Sequence, residues 1–147
     1  MIYIGIDPAF RKNGFGMCIL DFSDKTANFY IFKSFFEFLS WLTNERPKTA
    51  FYCIENSNLQ KKCWQKNAMS VGKNQAASQY TVDACKYFCG DKFIREISPL
   101  EKGGKEKVNM IFKIESKKWR LHNYKGLVSE QDKRDSFLLA LLSIRNV

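Results

Sequence analysis

The chain has 147 residues, 45% of them hydrophobic and 15% aromatic, with thirteen Phe and a formal net charge of +9. That length suits a single domain, 1–147, and leaves no room for two large lobes around a cleft, while the hydrophobic content excludes disorder over most of the chain. The positive balance favours polyanions such as nucleic acid as partners.

The first stretch, "MIYIGID", alternates Ile2, Ile4 and Ile6 against Tyr3 and Gly5, apolar on both faces as a central strand is, and ends in Asp7. A turn at Pro8 and Asn13-Gly14 returns the chain as a second strand through Gly16 to Phe22, a predicted hairpin, and "FYIFKSF" supplies a third strand. Phe35, Phe38, Leu39 and Leu42 follow a helical period before Pro47. "TAFYCIE" is a fourth strand ending in an acid, Glu55. After a basic stretch, Gly72, Ala76, Tyr80, Ala84 and Phe88 recur at spacing four and predict the packed face of a long helix. "KFIREIS" gives a fifth strand, and "PLEKGGK" a basic loop. Val108, Ile111, Phe112 and Trp119 then predict a helix, "RLHNYKG" a loop, and the last helix runs from about Glu130 to Arg145. Three antiparallel strands followed by βαβ crossovers predict an α/β fold, a five-stranded mixed sheet with helices on both faces.

Two carboxylates, Asp132 and Asp135, open a final helix built for burial, and a buried carboxylate needs a cationic partner, a lysine or a metal ion. Residues three apart share a helix face, and Leu139 and Leu142 continue that face toward the sheet. If the first and fourth strands are parallel neighbours, Asp7 and Glu55 stand together at the carboxyl ends, where open α/β sheets carry their sites. Four acids meeting in a chain of net charge +9 suit divalent cations with hard oxygen ligands, and two such ions about 4 Å apart can drive an in-line displacement at phosphorus. The bland alternative is a turn aspartate, a lysine-paired Glu55 and two acids favouring a helix N-terminus.

"IGIDPAFRKNGFGMCILD", "FYCIEN", "SVGKNQAASQY", "GGKEKVNMIFKIE" and "QDKRDSFLLALL" resemble, in order and over nearly the whole chain, the successive motifs of RuvC-type Holliday junction resolvases of the RNase H-like superfamily. The resemblance implies an RNase H-like fold and a homodimeric, Mg²⁺-dependent endonuclease that nicks four-way DNA junctions symmetrically. By position, Asp7, Glu55, Asp132 and Asp135 would hold two Mg²⁺ ions, for which Mn²⁺ can substitute. Lys105 and Lys107 match lysines that approach the scissile phosphate. Lys61, Lys62, Trp64 and Lys66 suit phosphate neutralisation with base stacking, and Lys73 and Lys102 join them as candidate DNA contacts. The chain departs from the family at Ala9 and Phe10 after the Asp-Pro pair, and at Asn56, Ser57 and Asn58, where resolvases carry an aromatic wedge.

Five cysteines without a C-x-x-C pair, beside one histidine, read as reduced thiols and not as a zinc site. With no apolar run of about 18 residues and no signal-peptide pattern, the expected location is the cytoplasm, or a host cell's cytoplasm for a viral chain, without membrane contact. The rival readings are another RNase H-like nuclease acting on branched DNA or RNA/DNA hybrids, and a catalytically inactive nucleic-acid binder. An actin-like nucleotide-binding module would need a second domain, so no nucleotide cofactor is expected.

Overall fold

Strict alternation along the strands decides the layers. The computed structural model describes residues 1–9, 15–59, 68–125 and 130–144, with backbone alone for 68–71. Strand β1 (Ile2–Asp7) pairs antiparallel with β2 (Phe15–Asp21), which pairs antiparallel with β3 (Thr26–Phe32). On its other side β1 pairs in parallel with β4 (Phe51–Glu55), and β4 in parallel with β5 (Ile94–Ile97). The hairpin turn predicted at Asn13-Gly14 lies outside the described residues; the β1–β2 register places Asp7 opposite Gly16.

A sixth strand completes the sheet, in the order β5-β4-β1-β2-β3-β6. It is β6 (Arg120–His122), expected as loop, and it runs parallel to Thr26–Asn28 at the edge. Its three residues are all exposed, so no hydrophobic alternation marks it. Its pairing comes from the free edge of β3, reinforced by the Arg120 amide donating to the Lys25 carbonyl at 2.8 Å and by Asn123 donating to Asn28 Oδ1 at 2.9 Å.

Helices cover both faces. On one, Ile4, Ile6, Phe15, Met17, Phe32, Tyr52 and Ile54 pack against α1 (Phe35–Asn44) and α2 (Ala68–Cys89) through Phe38, Trp41, Leu42, Val82 and Cys85. Helix α1 starts where Ser34 accepts the Glu37 amide and Glu37 in turn accepts the Lys33 amide, a reciprocal cap. In α2 the buried row is Ala77, Ser78, Thr81, Val82 and Cys85, one residue out of step with the expected one: Tyr80 is 57% exposed, and a Cβ at Gly72 would touch nothing within 4 Å. Small and polar residues occupy both rows, so spacing alone could not choose between them.

On the opposite face, Tyr3, Cys18, Leu20, Ala27, Phe29 and Cys53 meet α5 (Glu130–Ile144) through Phe137, Leu139 and Ala140. Ser98 opens the one-turn helix α3 (Pro99–Lys102) with a capping box to Glu101. Helix α4 (Lys105–Glu115) then lies against α5 through Phe112, and Trp119, expected inside that helix, packs just beyond it on Phe22. Among the described residues no helix is long and apolar enough to cross a membrane.

Candidate metal centre

In the parallel pair β1–β4, Gly5 lies beside Cys53 and Ile6 beside Ile54, so the next residues, Asp7 and Glu55, end neighbouring strands on the face that α5 covers. Two glycines bring α5 down onto that face. A Cβ on Gly5 would stand 2.1 Å from the Ser136 carbonyl oxygen and 2.2 Å from the Ala140 nitrogen; one on Gly16 would stand 2.8 Å from the Asp132 carbonyl oxygen. The helix backbone therefore rests directly on β1 and β2. Because Gly16 is the cross-strand partner of Asp7, Asp132 arrives over Asp7. The result is that carboxylate oxygens of Asp7, Asp132 and Asp135 all lie within 4.8 Å of one another. Glu55 joins the group through a hydrogen bond with Asp7.

Among the described residues, one ammonium sits with these acids. Lys102 Nζ donates to Glu55 Oε2 at 2.9 Å and lies 3.5 Å from Asp135 Oδ2, with its side chain only 12% exposed. Burial alone would push the Lys102 ammonium down, but the charges of Asp7, Glu55 and Asp135 outweigh it and hold the group above the ordinary lysine range. Asp7 goes the other way for a carboxyl: burial, then the charge of Glu55, raises it well above the ordinary aspartate value despite Lys102. Among the described residues, four carboxylates around one ammonium leave an excess of negative charge with oxygen-only donors, and that donor set fits a hard divalent cation such as Mg²⁺ or Mn²⁺. The three-aspartate cluster can hold a metal ion.

Of the remaining site candidates, the described ones are exposed lysines. Lys105 and Lys107 are exposed on the first turn of α4, with the Lys107 side chain lying over Gly103. Lys73 is exposed near the start of α2, and Lys61, Lys62, Trp64 and Lys66 lie outside the described residues. Lys102, grouped by sequence with the DNA-facing cations, has its ammonium on the carboxylates of Glu55 and Asp135. A short-range signal for its placement was present: S-P-L-E is a capping box with proline at its first helical position, which turns the chain immediately after β5.

Sequence reasoning also passed over the supports. Asn56, following Glu55, is buried; it donates to Glu96 Oε1 at 2.7 Å and accepts from the Asn58 amide at 2.9 Å, which fixes the chain as it leaves the site. At the start of α5, buried Lys133 donates to the Tyr124 carbonyl, and Arg134 donates to the Tyr124 hydroxyl at 2.7 Å. Tyr124 is itself stacked on Phe112, so the helix turn carrying Asp132 and Asp135 is clamped from outside. Glycines inside strands, a sign of close backbone approach, were the legible clue to Gly5 and Gly16.

No family model matches this chain, and no curated protein matches it in sequence. A solved structure does match: T. thermophilus RuvC in complex with Holliday junction substrate, with a TM-score of 0.55 over 96% of this chain and 91% of that one, at 13% identity. The chain has a RuvC-like RNase H fold. At that identity the likeness is one of fold. The chemistry of this RuvC-like chain rests on its own side chains, the acids at the carboxyl ends of β1 and β4 and near the start of α5.

Proposed function

We propose that this chain, as one nuclease domain, is a Mg²⁺-dependent endodeoxyribonuclease that resolves four-way DNA junctions by paired symmetric nicks and works as a homodimer. The observation that carries the reading is the convergence of Asp7, Asp132 and Asp135 within 4.8 Å, with Glu55 hydrogen-bonded to Asp7, in a RuvC-like fold. Asp7, Glu55, Asp132 and Asp135 would hold two Mg²⁺ ions or, in their place, Mn²⁺. Bound there, such ions supply an activated water and neutralise charge that develops on a phosphodiester as it is hydrolysed.

The protein's own residues do the rest. Asp7 is pinned in a central strand and Asp132 by α5 resting on Gly16, so the acids are set before substrate arrives, with little left to reorganise. Lys105 and Lys107 would place ammonium groups against the phosphate being cut. Lys73, with Lys61, Lys62, Trp64 and Lys66, would neutralise neighbouring phosphates and offer a base a stacking surface, making affinity fall steeply with added salt. Branched DNA is the favoured substrate because the structural relative was solved on a Holliday junction. A homodimer follows from symmetry, since one site cuts one strand and a two-fold junction has two to cut.

The test is cleavage by the purified protein of a synthetic four-way junction, a linear duplex, a flap and an RNA/DNA hybrid, each with Mg²⁺, Mn²⁺ or EDTA. Paired nicks confined to the junction and abolished by EDTA are expected. Equal cutting of every substrate would leave a general RNase H-like nuclease. Junction binding without nicks in either metal would leave an inactive binder.

A further inference from the structure

We propose that Lys102 is a built-in competitor of the metal: its ammonium and a divalent ion claim the same carboxylates, so that loading the site requires Lys102 to release Asp135. The inference rests on the metal-dependent reading above and adds a step to it. Asp135 belongs to two groupings at once. Its carboxylate lies 3.5 Å from Lys102 Nζ, and it also completes the three-aspartate cluster with Asp7 and Asp132. Glu55 is likewise shared, accepting from Lys102 at 2.9 Å while hydrogen-bonded to Asp7. With the lysine, Glu55 and Asp135 side chains each 12–14% exposed, little water is present to screen an ammonium from an incoming divalent cation, and the two repel.

The local backbone suits a side chain that withdraws from a fixed base. Lys102 ends the one-turn helix that Ser98 and Glu101 cap reciprocally, and the Lys102 and Gly103 amides donate back to Ser98 and Pro99 at 3.2 and 3.1 Å. The Cα is thereby held while the four-carbon stem keeps its rotatable bonds. A lysine serving only as structural glue would stay on Glu55 and Asp135 whether or not metal were bound; a competitor cannot.

Mn²⁺ titration of the full chain by calorimetry, without DNA, separates the two. Lys102→Met, close in size and uncharged, is expected to bind Mn²⁺ at least about ten-fold more tightly than wild type, the scale on which neighbours of metal ligands alter affinity, or to take up one more ion. Equal or weaker binding by the folded variant overturns the inference. A second measurement needs no variant: acetylation of wild-type lysines, read by peptide mass spectrometry, is expected to modify Lys102 several-fold faster once Mn²⁺ is added, and an unchanged rate overturns the inference. Failure of both proteins to bind Mn²⁺ would remove the metal-dependent function and this step together, whereas normal binding by wild type with an indifferent Lys102 removes this step alone.

Discussion

The two faces of β1 come from alternate residues of one six-residue strand, and they are built on opposite rules. Ile2, Ile4 and Ile6 meet rings: Phe15, Phe32, Phe38 and Trp41 lie edge-on, tilted or stacked with centroids 5.4–6.2 Å apart, and side chains fill the depth between sheet and helix. Tyr3, Gly5 and Asp7 shrink from a ring to nothing and then turn acidic, and a helix backbone rather than a layer of side chains occupies the space. The first face buries apolar area and stabilises. The second gives up apolar area at Gly5 and Gly16 and gathers like charges, a stability cost that makes sense only for a site.

The largest effect that would test this contrast is on the aromatic face. Phe38→Ala should lower stability by about 3–5 kcal/mol in a urea titration while leaving Mn²⁺ affinity of the folded protein unchanged; a matching loss of affinity would mean that the faces are not independent. Next comes Asp7→Asn. It should cut junction nicking by more than the roughly 100-fold that loss of a mere neighbour of a metal ligand costs. In EDTA the same variant should melt no lower than wild type, because the amide can donate to Glu55 and brings no charge into the crowded cluster. A clear fall in melting temperature would show that the acids stabilise the fold.

Gly16→Ala should act between these, pushing on the Asp132 carbonyl and lifting the first turn of α5, at about 1–3 kcal/mol of stability together with weakened Mn²⁺ binding. Retained affinity would uncouple the helix contact from the site. The smallest effect concerns the ion pair between Lys86 and Glu96, 2.9 Å apart on the first face. Burial would raise the Glu96 carboxyl, but hydrogen bonds from Lys86 and Asn56 hold it below the usual glutamate range. A carboxyl lowered in the folded state adds stability above its unfolded value, and that stability is lost as pH falls through the lowered one. Lys86→Met should therefore cost a few tenths of a kcal/mol at neutral pH and nothing in acid; a difference that persisted in acid would point to packing by the lysine stem.

The primary chain by itself determined the strands that are buried on both faces, the strand-end positions of Asp7 and Glu55 and the pairing of Asp132 with Asp135, because a period of two or of three to four residues assigns a side chain to a face without reference to distant partners. It also announced an acid cluster in need of a cation. Only the tertiary structure decided which cation stands there, since Lys102 reaches the acids through a capped turn after β5 whose direction no periodicity encodes. Likewise β6 exists because β3 offers it an edge, and the buried row of α2 was chosen by the aromatic layer it meets, not by its own weakly patterned residues. Contacts between residues far apart in the chain depend on what the partner presents, and local spacing holds no record of that.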